Sequence, residues 1–214
     1  DVITKEFGAD SMRLYEMFMG PLEAVKPWNS ASIGGVRRFL DRYFTCVLRA
    51  SEAATTVSAS DDTERLLHQT IKKVTDDIEG LRFNTAISQM MVLVNDLIAY
   101  EVPPRAAVQT LTQLLHPFAP HIAEEGWELL GNVGSVQRAA WPKHDDARLV
   151  ADSLVMPVQV NGKVRARVTM PAEVTEDDAV ALAKADPAIA ALLDGKAIKK
   201  VVWVAGKILN LIVA

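Results

Sequence analysis

The chain is poor in the features that mark secreted, disulfide-bonded or membrane-spanning proteins. Its 214 residues include one cysteine, Cys46, which excludes an internal disulfide and fits a reducing, cytoplasmic location. No apolar run approaches the roughly 20 residues that a membrane-spanning helix needs. The chain starts at Asp1 with neither an initiator methionine nor a signal peptide, so we expect it to be a segment of a longer protein.

Motifs for catalysis are also missing. The sequence has neither a glycine-rich phosphate loop nor a Gly-x-Ser-x-Gly nucleophile motif. Cys46 lies in the apolar stripe of a predicted helix, where a buried and unreactive thiol is the usual state. We therefore predict no catalytic residue in this chain.

Two histidines and two glutamates suggest a metal site at first sight. His116 and His121 precede Glu124 and Glu125, and imidazoles with carboxylates can bind zinc. Two prolines lie between the histidines, so the rings do not share a helical face, and no third ligand has a recognisable spacing. We predict no metal here, and instead a corner between two helices that is packed by Phe118.

The net charge of −4 conceals a division along the chain. Residues 1–152 carry 15 Lys and Arg against 21 Asp and Glu, whereas residues 153–214 carry 8 against 6. Because the chain as a whole is no polycation, contact with nucleic acid must come from local patches.

Helical periodicity dominates the first 130 residues. Apolar side chains recur at helical spacing in four stripes, which run over residues 36–48, 67–78, 83–98 and 108–115. Pro120 begins a further helix that ends at Gly131. Short breaks separate these segments, so we predict an antiparallel helical bundle over residues 29–131. Residues 132–152 lack periodicity and are predicted to be a linker.

The pattern changes to a small α+β domain over residues 153–214. Strands are predicted at about 154–160, 163–170, 198–204 and 208–213, with helices starting at Thr175 and at Pro187. The resulting order, ββα(α)ββ, follows a mainly α first part.

The first two strands carry the most informative pattern in the sequence. Asn161-Gly162 joins them, and this dipeptide favours the positive φ angles of a tight hairpin. After the turn, cations alternate with apolar residues, so alternation predicts three cations on one face and three apolar side chains on the other. The cations are Lys163, Arg165 and Arg167, and the apolar residues are Val164, Ala166 and Val168. We expect Lys199, Lys200 and Lys207, from the last two predicted strands, to join these cations, and we predict that the group binds a polyanion.

A second basic group lies on the predicted helix around residue 40. Arg37, Arg38, Arg42 and Arg49 mark its polar side, and positions 38, 42 and 49 fall within about one face. A row of this kind suits phosphates. An ordinary solvated face with i,i+4 ion pairs explains the pattern equally well.

Several motifs resemble bacterial leucyl-tRNA synthetase, a class I aminoacyl-tRNA synthetase. The resemblance covers nearly the whole chain in order. The motifs lie at residues 7–15, 18–23, 35–42, 115–121, 124–128, 157–165 and 206–213, together with Lys26-Pro27-Trp28 and Trp141-Pro142. The helical motifs also suit the valyl, isoleucyl and methionyl relatives, whereas the hairpin and the last strand favour the leucyl enzyme. One departure is Gly126, where the family usually has a bulky apolar residue.

The resemblance implies a fold and a partner. Residues 1–28 would follow the catalytic domain's signature loop, residues 29–131 would be the anticodon-binding bundle, and residues 153–214 would be the C-terminal tRNA-binding domain. The small domain would contact the elbow and long variable arm of leucine tRNA, and the bundle would lie along its stem. Together with the basic patterns described above, a tRNA partner predicts tRNA-binding roles for Lys163, Arg165, Arg167, Lys199, Lys200, Lys207, Arg37, Arg38 and Arg42.

The resemblance also implies what the chain lacks. It contains no His-Ile-Gly-His element, no Lys-Met-Ser-Lys-Ser loop, no editing domain and no cysteine-rich zinc insert. The ATP, leucine and Mg sites of the parent ligase would therefore lie outside it, and we expect this chain by itself to be inactive, monomeric and free of cofactor. The alternative is a non-catalytic helical module that binds other proteins, with a basic sheet that is merely solvated.

Overall fold

The computed structural model describes residues 2–25, 30–149 and 153–214. They form two compact units, the first ending at Leu149 and the second at Ala214. The motif Lys26-Pro27-Trp28, the first residue and the last three residues of the predicted linker lie outside the described residues. Among the described helices, none combines the length and the apolar character needed to cross a bilayer.

The first unit is a bundle of helices. Its helices are α1 (Val2–Phe7), α2 (Ala9–Phe18), α3 (Ser30–Glu52), α4 (Asp61–Glu79), α5 (Phe83–Leu97), α6 (Arg105–Leu115) and α7 (Pro120–Leu129). Each apolar stripe faces one shared core, and Leu14 and Tyr15 of α2 belong to it. The predicted helical bundle is confirmed, and the described part of residues 1–28 packs against it.

Local signals in the sequence set the helix ends. Ser60 caps α4, because its side chain accepts a hydrogen bond from the Thr63 backbone amide. Pro120 occupies the first turn of α7, where its missing amide hydrogen costs nothing. Gly131 follows that helix with φ of 76°, a left-handed conformation that glycine adopts without strain.

Helices α3 and α7 approach each other closely at one point. A Cβ atom at Gly126 in α7 would lie 2.5 Å from Tyr43 Oη and 3.2 Å from Val47 Cγ2, both in α3. Tyr43 is fully buried and its hydroxyl is 2.8 Å from Thr112 Oγ1 in α6. Burial raises the pKa of Tyr43 well above its ordinary value, so the phenol stays neutral. The absence of a side chain at Gly126 is therefore what lets the helices pack here.

A buried carboxylate joins α4 to α5. The side chain of Asp77 is 4% exposed and accepts from Lys73 Nζ at 2.8 Å, from Arg82 Nε at 2.9 Å and from Thr85 Oγ1 at 2.6 Å. Burial by itself would raise the pKa of Asp77, but the hydrogen bonds from Lys73, Thr85 and Arg82 outweigh it and hold that pKa below its usual value.

We expect Asp77→Ala to lower the free energy of unfolding by about 2 kcal/mol at pH 7, since hydrogen bonds to a charged group are lost. The pKa of this carboxyl is lower in the folded chain than its ordinary 3.8. Its stabilisation is therefore complete above that value and fades as the pH falls through the folded pKa. Urea unfolding between pH 7 and pH 2 checks this.

The neighbouring residue provides a control. Asp76 is exposed on the same helix, and Asp76→Ala should change the unfolding free energy little at any pH. A stability loss in Asp77→Ala that stays constant down to pH 2 would contradict the assigned role of the ionised carboxylate.

Residues 132–149, predicted as a linker, are attached to the first unit. They form two 3₁₀ turns, Val136–Arg138 and Asp146–Arg148. The Trp141 indole donates to Thr75 Oγ1 at 2.9 Å, and Arg148 pairs with Glu64 at 3.2 Å. The structure therefore differs from the predicted linker over this part. Side-chain hydrogen bonds attach the segment, and hydrophobic periodicity does not reveal such bonds.

The second unit is a four-stranded sheet with two helices. Its elements are β1 (Ser153–Val160), β2 (Lys163–Pro171), α8 (Glu176–Ala185), α9 (Pro187–Leu193), β3 (Ile198–Val204) and β4 (Ile208–Val213). The sheet order is β2-β1-β4-β3, with β1 and β4 parallel and both other pairs antiparallel. Ala179, Ala183 and Ile189 of the helices share a core with Met156 and Leu209 of the strands. The predicted α+β domain is confirmed.

Candidate nucleic-acid interface

The basic hairpin has the predicted turn but not the predicted faces. Asn161 and Gly162 have φ angles of 50° and 79°, as a tight hairpin requires. The register of β1 and β2 shifts between Val158 and Gln159, so that Val158 lies opposite Ala166 and Gln159 lies opposite Val164. Arg165 is the extra residue of a β-bulge and has no direct partner in β1.

The bulge redistributes the cations over both faces of the sheet. Lys163 lies opposite Val160 and so shares the face that carries the core, whereas Arg167 lies opposite Pro157 on the other face. Val164 moves to that other face and is 53% exposed. The sequence predicted that the three cations share one face of the sheet and that the three apolar residues share the other. That prediction was wrong, because side chains alternate between faces only where the strand register is unbroken.

Charge is nevertheless segregated within the second unit. The strands and their hairpin turns, residues 153–171 and 198–214, contain six cations and no acidic residue. The intervening residues 172–197, which form the helical layer, contain six acidic residues and two lysines. The sheet layer is thus strongly positive and the helical layer negative, which favours a polyanion on the sheet side.

The lysines of the last two strands complete the positive layer. Lys199 and Lys200 are exposed on β3, at the opposite edge of the sheet from β2, and Lys207 lies in the turn before β4. The two edges are separated by three strand spacings, or about 14 Å. None of the six cations of the sheet layer pairs with an acidic residue of the described part.

The sheet face opposite α8 and α9 carries exposed apolar side chains beside Arg167, a feature that the sequence pattern does not reveal. Val155, Val202 and Val204 are 60%, 37% and 43% exposed. Val202 and Val204 lie on the face opposite the core, since they pair with Asn210 and Ile208 rather than with core positions. Val202 and Val204 alternate along β3 with the core-facing residues Val201 and Trp203. The strand is therefore apolar on both faces, and its sequence contains no signal that distinguishes the buried face from the exposed one.

The arginines of α3 separate into two groups. Arg37 donates to Asp41 at 2.9 Å and to the Phe7 carbonyl at 3.1 Å, and Arg49 donates to the carbonyls of Ile98 and Tyr100. These two side chains tie α3 to its neighbours. Arg38 and Arg42 are exposed and have no ion-pair partner within the described residues. Arg38 and Arg42 can therefore bind an external anion without first giving up such a bond.

His116 and His121, which suggested a metal site, each lie beside a different carboxylate. His116 Nε2 is 3.5 Å from Glu124 Oε1, whereas His121 Nδ1 is 2.8 Å from Asp10 Oδ1. Glu124 also accepts from the Ser135 hydroxyl, and this bond holds the pKa of Glu124 below its usual value. No three potential ligands come together in residues 2–25, 30–149 or 153–214. The corner is fixed by hydrogen bonds between side chains.

Cys46 is fully buried in the bundle. Burial raises the pKa of its thiol to about 11, against the opposing influence of Arg49 and Arg42. Since the thiolate is the nucleophilic form, this thiol is unreactive at neutral pH.

Comparison with known proteins connects this geometry to a family. A family model described as the anticodon-binding domain of tRNA ligase matches residues 63–180, more than half of the chain. The chain belongs to this family. The matched part of the chain runs from α4 to α8 and includes Lys163, Arg165 and Arg167, whereas the α3 arginines and the β3 lysines lie outside it.

Two relatives of the chain are leucine–tRNA ligases. The chain is 54% identical over 214 residues to that of Sorangium cellulosum and 43% identical over 220 residues to that of Rhodopirellula baltica. The whole chain is covered in both alignments, but only 24% and 23% of the relatives. The chain therefore spans about a quarter of the length of these curated relatives.

One solved structure has the same fold over the whole chain. It is a crystal structure of the ternary complex of Agrobacterium radiobacter K84 agnB2 LeuRS with tRNA and LeuAMS, and it aligns with a TM-score of 0.76 at 31% identity. The alignment covers 100% of this chain and 30% of that one.

Proposed function

We propose that this chain is the tRNA-binding part of a leucine–tRNA ligase, an enzyme that joins leucine to its tRNA at the expense of ATP. The observation that carries the proposal is the six-cation sheet layer, unpaired within the described residues, in a chain that resembles leucine–tRNA ligases over its whole length. Such cations can bind phosphates without first breaking an ion pair.

Two surfaces of the chain contribute to tRNA binding in this proposal. The sheet layer contacts the elbow and variable arm, where recognition depends on the shape of folded RNA and on its backbone. Arg38 and Arg42 of α3 lie one helical turn apart and contact phosphates of the stem. Arg37 also lies on α3, but its guanidinium already donates to Asp41 and to the Phe7 carbonyl, so we expect it to contribute less than Arg38 and Arg42.

The chemistry of the parent ligase belongs to the rest of that protein. ATP, Mg and leucine are bound there, and this chain positions tRNA without a cofactor of its own. We place the parent in the cytoplasm and expect this chain to behave as a monomer.

The alternative is a module that binds other proteins, and the exposed valines of the sheet favour it. An apolar face of this kind is common at protein interfaces. The two proposals predict a different dependence of the binding constant on salt concentration, because phosphate contacts release counterions and apolar contacts do not.

We expect the chain to bind a leucine tRNA transcript with steep salt dependence. If each of the six sheet cations neutralises one phosphate, the slope of log K against log salt is about −4 to −5, depending on whether the RNA is single- or double-stranded. Fluorescence anisotropy between 50 and 200 mM KCl measures it. Duplex DNA of equal length is the control and should bind more weakly, because the site fits folded RNA. Flat salt dependence, or equal affinity for both nucleic acids, would contradict the proposal.

A further inference from the structure

The tip of the basic hairpin is attached to the last strand through asparagine side chains. Strands β1 and β4 pair in parallel over three residues, from Val158 opposite Leu209 to Val160 opposite Leu211. Beyond that point β1 has ended and the turn begins. Asn161 nevertheless stays beside β4, because its backbone amide donates to the Leu211 carbonyl at 3.0 Å.

Two reciprocal side-chain hydrogen bonds strengthen this attachment, one accepted by the hairpin turn and one accepted by β4. The Asn161 side chain accepts from the Val213 backbone amide at 2.9 Å, and the Asn210 side chain accepts from the Gly162 backbone amide at 3.1 Å. Each asparagine thus satisfies an amide of the other segment. We call these two bonds the asparagine bracket.

We propose that Asn161 and Asn210 are positioning residues of the RNA site, which hold the hairpin tip and its cations in place before RNA arrives. The proposal rests on the tRNA-binding function proposed above. Lys163 directly follows the bracketed turn, and Arg165 lies two residues farther, at the bulge. Since β2 is an edge strand, with β1 as its one neighbour in the sheet, the bracket is the additional constraint on this tip.

A positioning role has a signature different from that of a phosphate contact. A flexible tip still brings the same number of cations to the RNA, so the same counterions are released and the salt slope is kept. Its ordering on binding, however, has a cost in entropy that a fixed tip avoids, so affinity falls. Removal of a cation, by contrast, lowers both the affinity for RNA and the slope of log K against log salt.

The test uses substitutions that open the bracket and leave the turn intact. Asn161→Gly keeps a residue that tolerates positive φ but removes the acceptor for Val213, and Asn210→Ala removes the acceptor for Gly162. In the double variant of the 214-residue chain, we expect hydrogen exchange at the Gly162 and Val213 amides to accelerate. Binding of a leucine tRNA transcript should weaken about three- to tenfold, with an unchanged salt slope. Asn210→Ala alone, which removes a single bond, keeps the test available if the double variant unfolds.

Thr175→Ala is the matched control in the same unit. It removes the cap of α8, where the Thr175 hydroxyl accepts from the Asp178 amide at 3.3 Å, and so destabilises the helical layer without touching the hairpin. Its RNA affinity should remain at the wild-type value. If Thr175→Ala weakens binding equally, general stability is responsible and the positioning role is overturned.

Two further outcomes overturn the inference. Wild-type affinity in a variant whose bracket amides exchange rapidly shows that the tip needs no positioning. A slope reduced by one to two units shows that the bracket variant has lost phosphate contacts rather than their preorganisation. If instead Arg165→Ala/Arg167→Ala leaves tRNA binding unchanged, the proposed function of the hairpin itself has failed, and this inference fails with it.

Discussion

Gly126→Ala is expected to destabilise the bundle by up to about 2 kcal/mol, although alanine is the better helix former. The gain in helix propensity is about 1 kcal/mol, whereas overpacking of a full core typically costs about 1–3 kcal/mol. The new Cβ would lie 2.5 Å from Tyr43 Oη, well inside van der Waals contact. Urea unfolding of the 214-residue chain, monitored by helical circular dichroism, measures the difference.

Tyr43 has little freedom to move away from a new methyl group. Its side chain is fully buried, and its hydroxyl bonds to Thr112, which is also fully buried. Movement would break that bond and leave a buried hydroxyl without a partner, which costs about 1–3 kcal/mol. Val47 Cγ2, at 3.2 Å from the same Cβ position, closes the other side.

Two further variants separate the clash from propensity. Gly34→Ala adds a methyl group in α3 where no atom lies within 4 Å, so it should stabilise the chain by about 0.5–1 kcal/mol. Tyr43→Phe removes the closest atom, so Gly126→Ala should cost less in its presence, with a coupling energy of about 0.5–3 kcal/mol. A Gly126→Ala variant as stable as Gly34→Ala would show that the close approach does not exist.

Arg165→Ala/Arg167→Ala is expected to weaken tRNA binding about 10- to 100-fold near 0.1 M salt. Each lost phosphate contact removes roughly one released counterion, so the salt slope should fall by about one to two units. The variant should stay folded, because both side chains are exposed and the core contacts of β2 come from Ala166, Val168 and Met170. Fluorescence anisotropy over a range of KCl concentrations measures both quantities.

The helical layer of the same unit offers a control with the same change in net charge. Lys184→Ala/Lys196→Ala removes two cations from the acidic layer, and its effect on tRNA affinity should be small. Arg38→Ala/Arg42→Ala tests the bundle, for which we expect a smaller loss than for the hairpin. Equal losses in the hairpin variant and the lysine control would mean that overall charge, and not a site on the sheet, governs binding.

The sequence predicted most of the elements because their signals are local. Apolar stripes at a spacing of 3.6 residues marked α3 to α6, whereas the cap residue Thr175 and the first-turn proline Pro187 marked the starts of α8 and α9. Asn161-Gly162 identified its turn because few other dipeptides accept two positive φ angles. Each of these features depends on residues within one or two turns of the chain.

The candidate site was predicted less well than the elements that carry it. The cations of β2 were identified by type, but their faces depend on the register with β1, and a single extra residue at Arg165 changes it. Arg37 and Arg49 look like Arg38 and Arg42 in the sequence. They differ because the carbonyls of Phe7, Ile98 and Tyr100 happen to lie within reach in the folded bundle.

The sequence by itself determined the helical bundle, the ββα(α)ββ order and the concentration of cations in the strands, since periodicity and turn chemistry act over a few residues. Only the tertiary structure decided which arginines remain available, which face each β2 cation takes and why Gly126 is needed beside Tyr43. Contacts between separate helices or strands determine all three outcomes. A pattern within one segment contains no information about the partner that the segment will meet.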